Sequence, residues 1–330
     1  MNREVSPTRL GWTRPLLGSP AERRIPGRPR KERPDATGNL YISPIAHRRI
    51  ILEVKDLAVI SFDLDGVLER NPLHSNRPDG VFGHITRQLA PHVPQPHPDP
   101  AIAAMRLILE EHHTRLHQGR MVAAHDWDDI VQTIAASLGY PGTFDVAALI
   151  TEYCERPGLI SLYPGARECL EATAAQGHTL VSITNGLRAY QEPVMRKLGI
   201  FDLFRTVITP DAVGTAKPFA PIFRAAEAHG SPCIHVGDTL PHDIAGARRA
   251  GWLAIYIVQM TAPGATPLPP DVATLAPTAR PAAAGDWLQS RLERDRRWHG
   301  FPPVELAECM PDAIVDRLDE VPDAIQALLR

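Results

Sequence analysis

The sequence predicts an α/β fold, a parallel sheet with helices on both faces, interrupted after its first strand by an inserted helical domain. Three observations carry this expectation. Leu57-Ala-Val-Ile-Ser-Phe62 is a short β-branched apolar run, the signature of a parallel strand buried on both faces. From Pro164 to Val258, apolar runs of this kind alternate with helical stretches, which is the βαβ rhythm. Between these two regions lie residues 81–155, where the apolar residues recur at helical spacing and no strand pattern appears.

Taken in order, residues 1–45 are rich in Pro, Arg and Gly and have neither helical nor alternating apolar period, so they are expected to be a disordered basic extension. A basic arm for an acidic partner and a dispensable extension are both open readings. Helices are expected at 81–90, 100–118, 126–138 and 145–155. Ala101, Met105, Ile108 and Leu109 mark one apolar face, and Ile130, Ile134 and Leu138 another. Helix 165–177 closes at Gly177, in the usual stop position. Strands at 179–184, 206–209, 233–236 and 253–258 then alternate with helices at 188–198, 218–229 and 241–250. Residues 262–310, with many prolines and the Arg-rich piece Arg291 to Arg297, are expected to be a surface insertion. Ala313 to Asp316 and Val321 to Leu329 return as a last strand and helix. The resulting plan assigns 50–70, 160–261 and 311–330 to the core and 71–159 to the helical cap.

Bulk properties narrow the class. The 330 residues suffice for about two domains and a sizeable core. Net charge is −3, so nothing global recruits nucleic acid or an anionic membrane, although residues 1–34 alone carry nine Arg or Lys against three Glu. Cys154, Cys169, Cys233 and Cys309 show no metal-site or redox spacing and are expected to be reduced and buried. No apolar run approaches the roughly 20 residues of a membrane span, and the N-terminus lacks the apolar core of a secretory signal. A soluble cytoplasmic protein is the expectation.

Four short pieces end predicted strands, where open α/β sheets place ligands. Phe62-Asp63-Leu64-Asp65-Gly66-Val67 sets two carboxylates side by side after an apolar strand. One can attack phosphorus while the other protonates the leaving alkoxide and then activates water. A solvated Asp-x-Asp-Gly turn is the plain alternative. Ser182-Ile183-Thr184-Asn185-Gly186 offers a hydroxyl and backbone N–H groups to a phosphate oxygen, or simply a helix cap at Asn185. Lys217-Pro218 contributes one of only four lysines (31, 55, 197 and 217), able to neutralise a phosphoryl group and a carboxylate if it is not merely on the surface. Val236-Gly237-Asp238-Thr239-Leu240-Pro241-His242-Asp243 supplies hard oxygen ligands suited to Mg²⁺, unless Asp243 only favours a helix N-terminus.

In this order and context the four pieces resemble the haloacid dehalogenase (HAD) superfamily, across residues 57–258 and 313–329, in the form with a helical cap inserted after the first motif. The resemblance implies a Rossmann-like core and an Mg²⁺-dependent phosphatase acting on a small phosphorylated metabolite through an aspartyl-phosphate. It implies Asp63 as nucleophile, Asp65 as general acid/base, and Lys217 as the charge-stabilising lysine. Thr184, with Asn185 and Lys217, would bind the substrate phosphate. Asp63, Asp238, Asp243 and the Asp65 carbonyl would hold the metal.

Dehalogenation is disfavoured, because dehalogenases of this family lack a carboxylate at the position of Asp65. A phosphomutase shares the motifs and differs in the acceptor that the cap admits. A phospho-accepting signalling domain combines similar groups, but a stable phospho-aspartate requires no acid/base neighbour. Within the helical block, His113 and His117 lie four apart beside Glu110, a metal-pair spacing that equally suits a solvated helix face. Asp126, Asp128 and Asp129 with Trp127 could contact substrate or cap a helix.

Overall fold

The computed structural model describes residues 57–73, 78–259, 266–299 and 303–330. The expectation for the basic segment 1–45 lies outside them. The first strand, β1 (Val59–Phe62), leads through a tight turn into β2 (Glu69–Arg70). A helical block follows: α1 (Val81–Leu89), α2 (Pro100–His117), α3 (Met121–Ala124), α4 (Trp127–Ser137) and α5 (Val146–Cys154). The chain returns through β3 (Ser161–Leu162), which pairs antiparallel with β2, so that the outgoing and incoming passages are tied together.

Alternation then begins with α6 (Ala166–Ala175), β4 (Thr179–Ile183), α7 (Arg188–Lys197), β5 (Thr206–Ile208), α8 (Pro210–Val213) and α9 (Ala220–Arg224). It continues with β6 (Cys233–Gly237), a π-helical turn at Leu240–Ile244, α10 (Ala245–Ala250) and β7 (Leu253–Ile257). Three helices follow, α11 (Pro270–Ala273), α12 (Arg280–Ala283) and α13 (Gly285–His299), before β8 (Ala313–Val315) and α14 (Val321–Leu328).

The six core strands form one parallel sheet in the order β5-β4-β1-β6-β7-β8. The period of two sorts their side chains between two apolar layers. Ile60, Phe62, Leu180, Ile234, Val236, Ile255 and Ile257 pack with α6 and α14 through Leu170, Val321 and Ile325. Val59, Val181, Ile183, Ala254 and Tyr256 face Ile222, Phe223, Ile244, Leu288 and Leu292 on the other side. The helical block has its own core of Ile85, Leu89, Ile108, Ile130, Ile134 and Ile150, which Tyr190 and Val194 of α7 join. Its helices begin where Asp99, Asp126 and Asp145 each accept a first-turn N–H, caps that contribute about 1 kcal/mol apiece.

The segment expected as a surface insertion differs from that reading. Leu268, Val272, Leu288, Leu292 and Val304 are buried in the second apolar layer. The i,i+4 pair Leu288 and Leu292 faces the sheet, a pattern that the surrounding arginines and prolines mask in the sequence. Arg280, 4% exposed, holds the segment to the last strand and helix. Its guanidinium donates to the carbonyls of Ile314 (3.1 Å) and Ala273 (2.9 Å) and to both Glu320 oxygens (2.9 Å each). On α13, the buried Asp295 accepts the Leu240 N–H at 3.1 Å, so this helix also braces the loop after β6.

Leu288→Ala should therefore lower the free energy of unfolding by about 2–5 kcal/mol in a urea titration, as large-to-small changes in a core do. A change under about 0.5 kcal/mol would mean that this helix lies on the surface.

Candidate active site

The sheet's order reverses at β1, which lies between β4 and β6. The C-terminal ends of these three strands bound the crevice in which such sheets take ligands. Register sets the levels: Phe62 is opposite both Ser182 and Val236. Asp63, Thr184 and Asp238 thus follow at the same edge. The Asp63 N–H donates to the Val236 carbonyl at 3.0 Å, and the Thr184 N–H to that of Ile208 at 3.2 Å.

At the centre of the edge, Lys217 Nζ lies 2.7 Å from Asp63 Oδ1 and 2.6 Å from Asp243 Oδ1. The lysine is 3% exposed, and it is held by its backbone: its N–H donates to Asn185 Oδ1 (2.8 Å), and Asn185 Nδ2 donates to its carbonyl (3.3 Å). Asn185 therefore positions the lysine through both ends of its amide, and α7 starts at Leu187 without a side-chain cap. Thr184, also buried, accepts the Gly186 N–H at 3.1 Å.

Beneath the lysine runs a chain of buried polar groups. His235 Nε2 lies 3.2 Å from Asp243 Oδ1, and His235 Nδ1 lies 2.6 Å from Ser61 Oγ. A carboxylate only accepts, so Nε2 carries the proton and Nδ1 accepts from the serine. The other Asp243 oxygen takes the Thr239 N–H (2.9 Å) and hydroxyl (2.5 Å).

Carboxylate oxygens of Asp63, Asp238 and Asp243 lie within 4.8 Å of one another, the one group among the described residues able to hold a metal ion. Gly66, at φ +83°, lets the chain turn away from β1, and a Cβ there would collide with the Asp238 carboxylate. The Asp65 side chain turns elsewhere, taking N–H groups from Asn71 and from Gln191 (2.8 Å). Its carbonyl is left as its route to a metal.

The three acids titrate in opposite senses. Burial raises Asp63 from 3.8 to about 7 despite Lys217, with Asp243 adding to the rise. Burial, then Asp243 and Asp63, push Asp238 well above the carboxylate range. Burial opposes ionisation of Asp243 too, but Lys217 and His235 outweigh it and hold that carboxyl well below 3.8. Nearby Glu69 is buried with neither oxygen hydrogen-bonded among the described residues, and burial, then Asp65 and Asp63, raise it well above the usual range. Three carboxylates against one ammonium leave a surplus of two negative charges. A divalent cation fits that surplus and the hard oxygen donors.

Sequence reasoning missed Ser61, Glu69, Asn71, Gln191 and His235. Ser61 and His235 had a signal, each being a polar residue inside an otherwise apolar strand. The histidine pair of α2 forms no metal group with Glu110 among the described residues. In the acidic run, Asp126 caps α4, Asp128 accepts the Val146 N–H and the Tyr190 hydroxyl, and Asp129 pairs with Arg115.

The model of the haloacid dehalogenase-like hydrolases matches residues 57–251. The chain belongs to this family. It is 31% identical over 115 residues to a glyceraldehyde 3-phosphate phosphatase of Methanopyrus kandleri, covering 34% of this chain and 49% of the relative. It is 34% identical over 100 residues to a phosphoglycolate phosphatase of Nitrosococcus oceani, covering 29% and 44%. The chain thus spans about half or less of the length of these two relatives. Among solved structures of haloacid dehalogenase-like proteins, a HAD phosphatase from Thermococcus onnurineus superposes with a TM-score of 0.49 at 24% identity, covering 63% of this chain and 89% of that one. No helix of the described residues is long and apolar enough to cross a membrane.

Without metal, the unfolded chain releases the Asp63 proton near 3.8 and the folded chain only near 7, so ionising this site costs stability as pH rises between them. His235 and His125 are both depressed, chiefly by burial, and act in the opposite sense below 6.5. The rise in melting temperature on adding Mg²⁺ isolates the acids. It should grow from about pH 5 to about pH 7.5. An increment that is flat or shrinks with pH would contradict the proposed charge balance.

Proposed function

We propose that this chain is an Mg²⁺-dependent phosphatase that hydrolyses a small phosphomonoester through an aspartyl-phosphate on Asp63. The observation that carries the reading is the Asp63 carboxylate at the sheet's switch point, paired with Lys217 and set among two further acids. Relatives named as phosphatases of glyceraldehyde 3-phosphate and phosphoglycolate support it.

Asp63, Asp238 and the Asp65 carbonyl are the groups that would hold Mg²⁺, with Asp243 contributing charge, since each of its oxygens already accepts two hydrogen bonds. The ion would supply positive charge against the negative charge of nucleophile and phosphoryl group. Lys217 adds its own, and burial between two acids keeps it protonated: desolvation would lower its pKa, but Asp243 and Asp63 raise it above the ordinary lysine value. Asp63 attacks phosphorus, and the ester oxygen leaves with a proton from Asp65, whose carboxyl Asn71 and Gln191 orient. Asp65 then takes a proton from water, which attacks the phosphorus of the aspartyl-phosphate and restores Asp63. The Thr184 hydroxyl and the Asn185 N–H are the proposed contacts for the remaining phosphoryl oxygens. The helical block, residues 71–159, acts as the cap that excludes bulk water and contacts the leaving group.

Assay of inorganic phosphate release over a panel of phosphometabolites, with and without Mg²⁺, tests the reading and separates hydrolysis from transfer to another acceptor. Asp63→Asn should reduce turnover by about three orders of magnitude or more, and Lys217→Met by roughly a hundredfold. Near-normal activity of Asp63→Asn would refute the nucleophile assignment. Removing residues 1–45 should leave kcat unchanged, and a collapse in soluble, folded protein would put that segment in the site.

A further inference from the structure

The helical block presents one buried group that the chemistry above leaves unused. His125 follows α3, and α3 packs on α8 of the core. Met121 and Ala124 form a small apolar cluster with Leu116 and with Ala216, the residue before Lys217. The imidazole follows directly on this cluster, within electrostatic range of the Lys217 ammonium. Burial, followed by the Lys217 charge, depresses its pKa to about 4 in spite of a bond to Met121.

The turn that carries His125 is braced carbonyl by carbonyl. Arg115, 2% exposed and tied to Glu111 (2.7 Å) and Asp129 (2.6 Å), donates to the Ala123 carbonyl at 3.0 Å. His112 Nδ1 donates to the Ala124 carbonyl. The His125 Nδ1 donates to the Met121 carbonyl at 2.8 Å, and its ring stands edge-on to His112 at 5.5 Å. A carbonyl only accepts, so Nδ1 keeps the proton and Nε2 has the lone pair. His125 is 8% exposed, yet Nε2 has no hydrogen-bond partner among the described residues. Nε2 is not among the fully buried unpaired atoms of the described residues, so this rigidly held acceptor is one that a ligand's donor can complete.

We propose that His125 determines substrate specificity: Nε2 accepts a hydrogen bond from a hydroxyl on the leaving group, close to the phosphoester, so that the site favours polyol or sugar phosphates. This inference rests on the phosphatase reading above. A carboxylate in the same place would set lone pairs against a lone pair in a desolvated space, whereas a hydroxyl completes the bond.

The test compares glycerol 3-phosphate, which has a hydroxyl beside the ester-bearing carbon, with propyl phosphate, which has the same carbon skeleton and no hydroxyl. The wild type should prefer glycerol 3-phosphate by roughly tenfold in kcat/KM, the size expected for one buried hydrogen bond. His125→Asn keeps a donor for the Met121 carbonyl but places nothing at Nε2. It should lose the preference through KM and leave propyl phosphate within about twofold. His125→Gln, whose amide oxygen reaches the Nε2 position, should restore part of it. A wild type with no preference overturns the proposal whatever the variants do, as does an Asn variant that retains the preference or loses activity equally on both esters. Asp63→Asn distinguishes the two levels of failure. If it leaves turnover of both esters intact, the catalytic reading fails and takes this one with it. If it abolishes turnover while His125→Asn leaves the preference unmoved, this proposal alone fails.

Discussion

One ammonium between two buried carboxylates organises this molecule. Lys217 Nζ lies 2.7 Å from Asp63 and 2.6 Å from Asp243, with almost no solvent to screen any of the three. Charges in such a place persist only when paired, and removing one partner of a buried pair costs about 3–5 kcal/mol. The lysine therefore ties the loop after β5 to the ends of β1 and β6, and Asn185 adds the end of β4 by holding the lysine's backbone. Four stretches distant in sequence meet at one cation.

That arrangement also divides the labour among identical side chains. Burial works against the Asp243 charge, but Lys217 and His235 outweigh it and favour the carboxylate, which serves as an electrostatic support. Asp63 and Asp238 are left short of positive charge, because a single ammonium cannot neutralise all three acids. The same residue type thus holds its charge in one position and resists ionisation in two others, through environment alone.

Much of this was legible in the sequence because the signals are local. Strands buried on both faces read as largely apolar runs, so all six core strands stood out, and of the two readings open for Asp126 the helix cap is the one the structure shows. Asp63, Thr184 and Asp238 drew notice for the same reason, as polar residues where apolar runs stop, and Lys217 through the rarity of lysine in this chain. What was missed depends on tertiary contact. The two-residue strands Glu69–Arg70 and Ser161–Leu162 are too short to show a period. Leu288 and Leu292 were hidden among arginines, so a core helix read as surface. Asn185 was expected to meet phosphate, and no spacing could say that both its amide atoms go to a backbone 32 positions later. Nor could Ser61 and His235 announce that they stack beneath Asp243, since neighbouring strands alone bring them there.

The hydrogen bond from Leu240 to Asp295 has a temporal side. During synthesis the ribosome releases Asp63, Thr184, Lys217 and Asp238 well before the helix that steadies the loop after β6, and the edge strand Ala313–Val315 emerges later still. A nascent chain thus holds the acids and lysine of the candidate site while the loop that carries Asp238 and Asp243 lacks a neighbour. Support of that loop therefore follows the synthesis of residues 285–299.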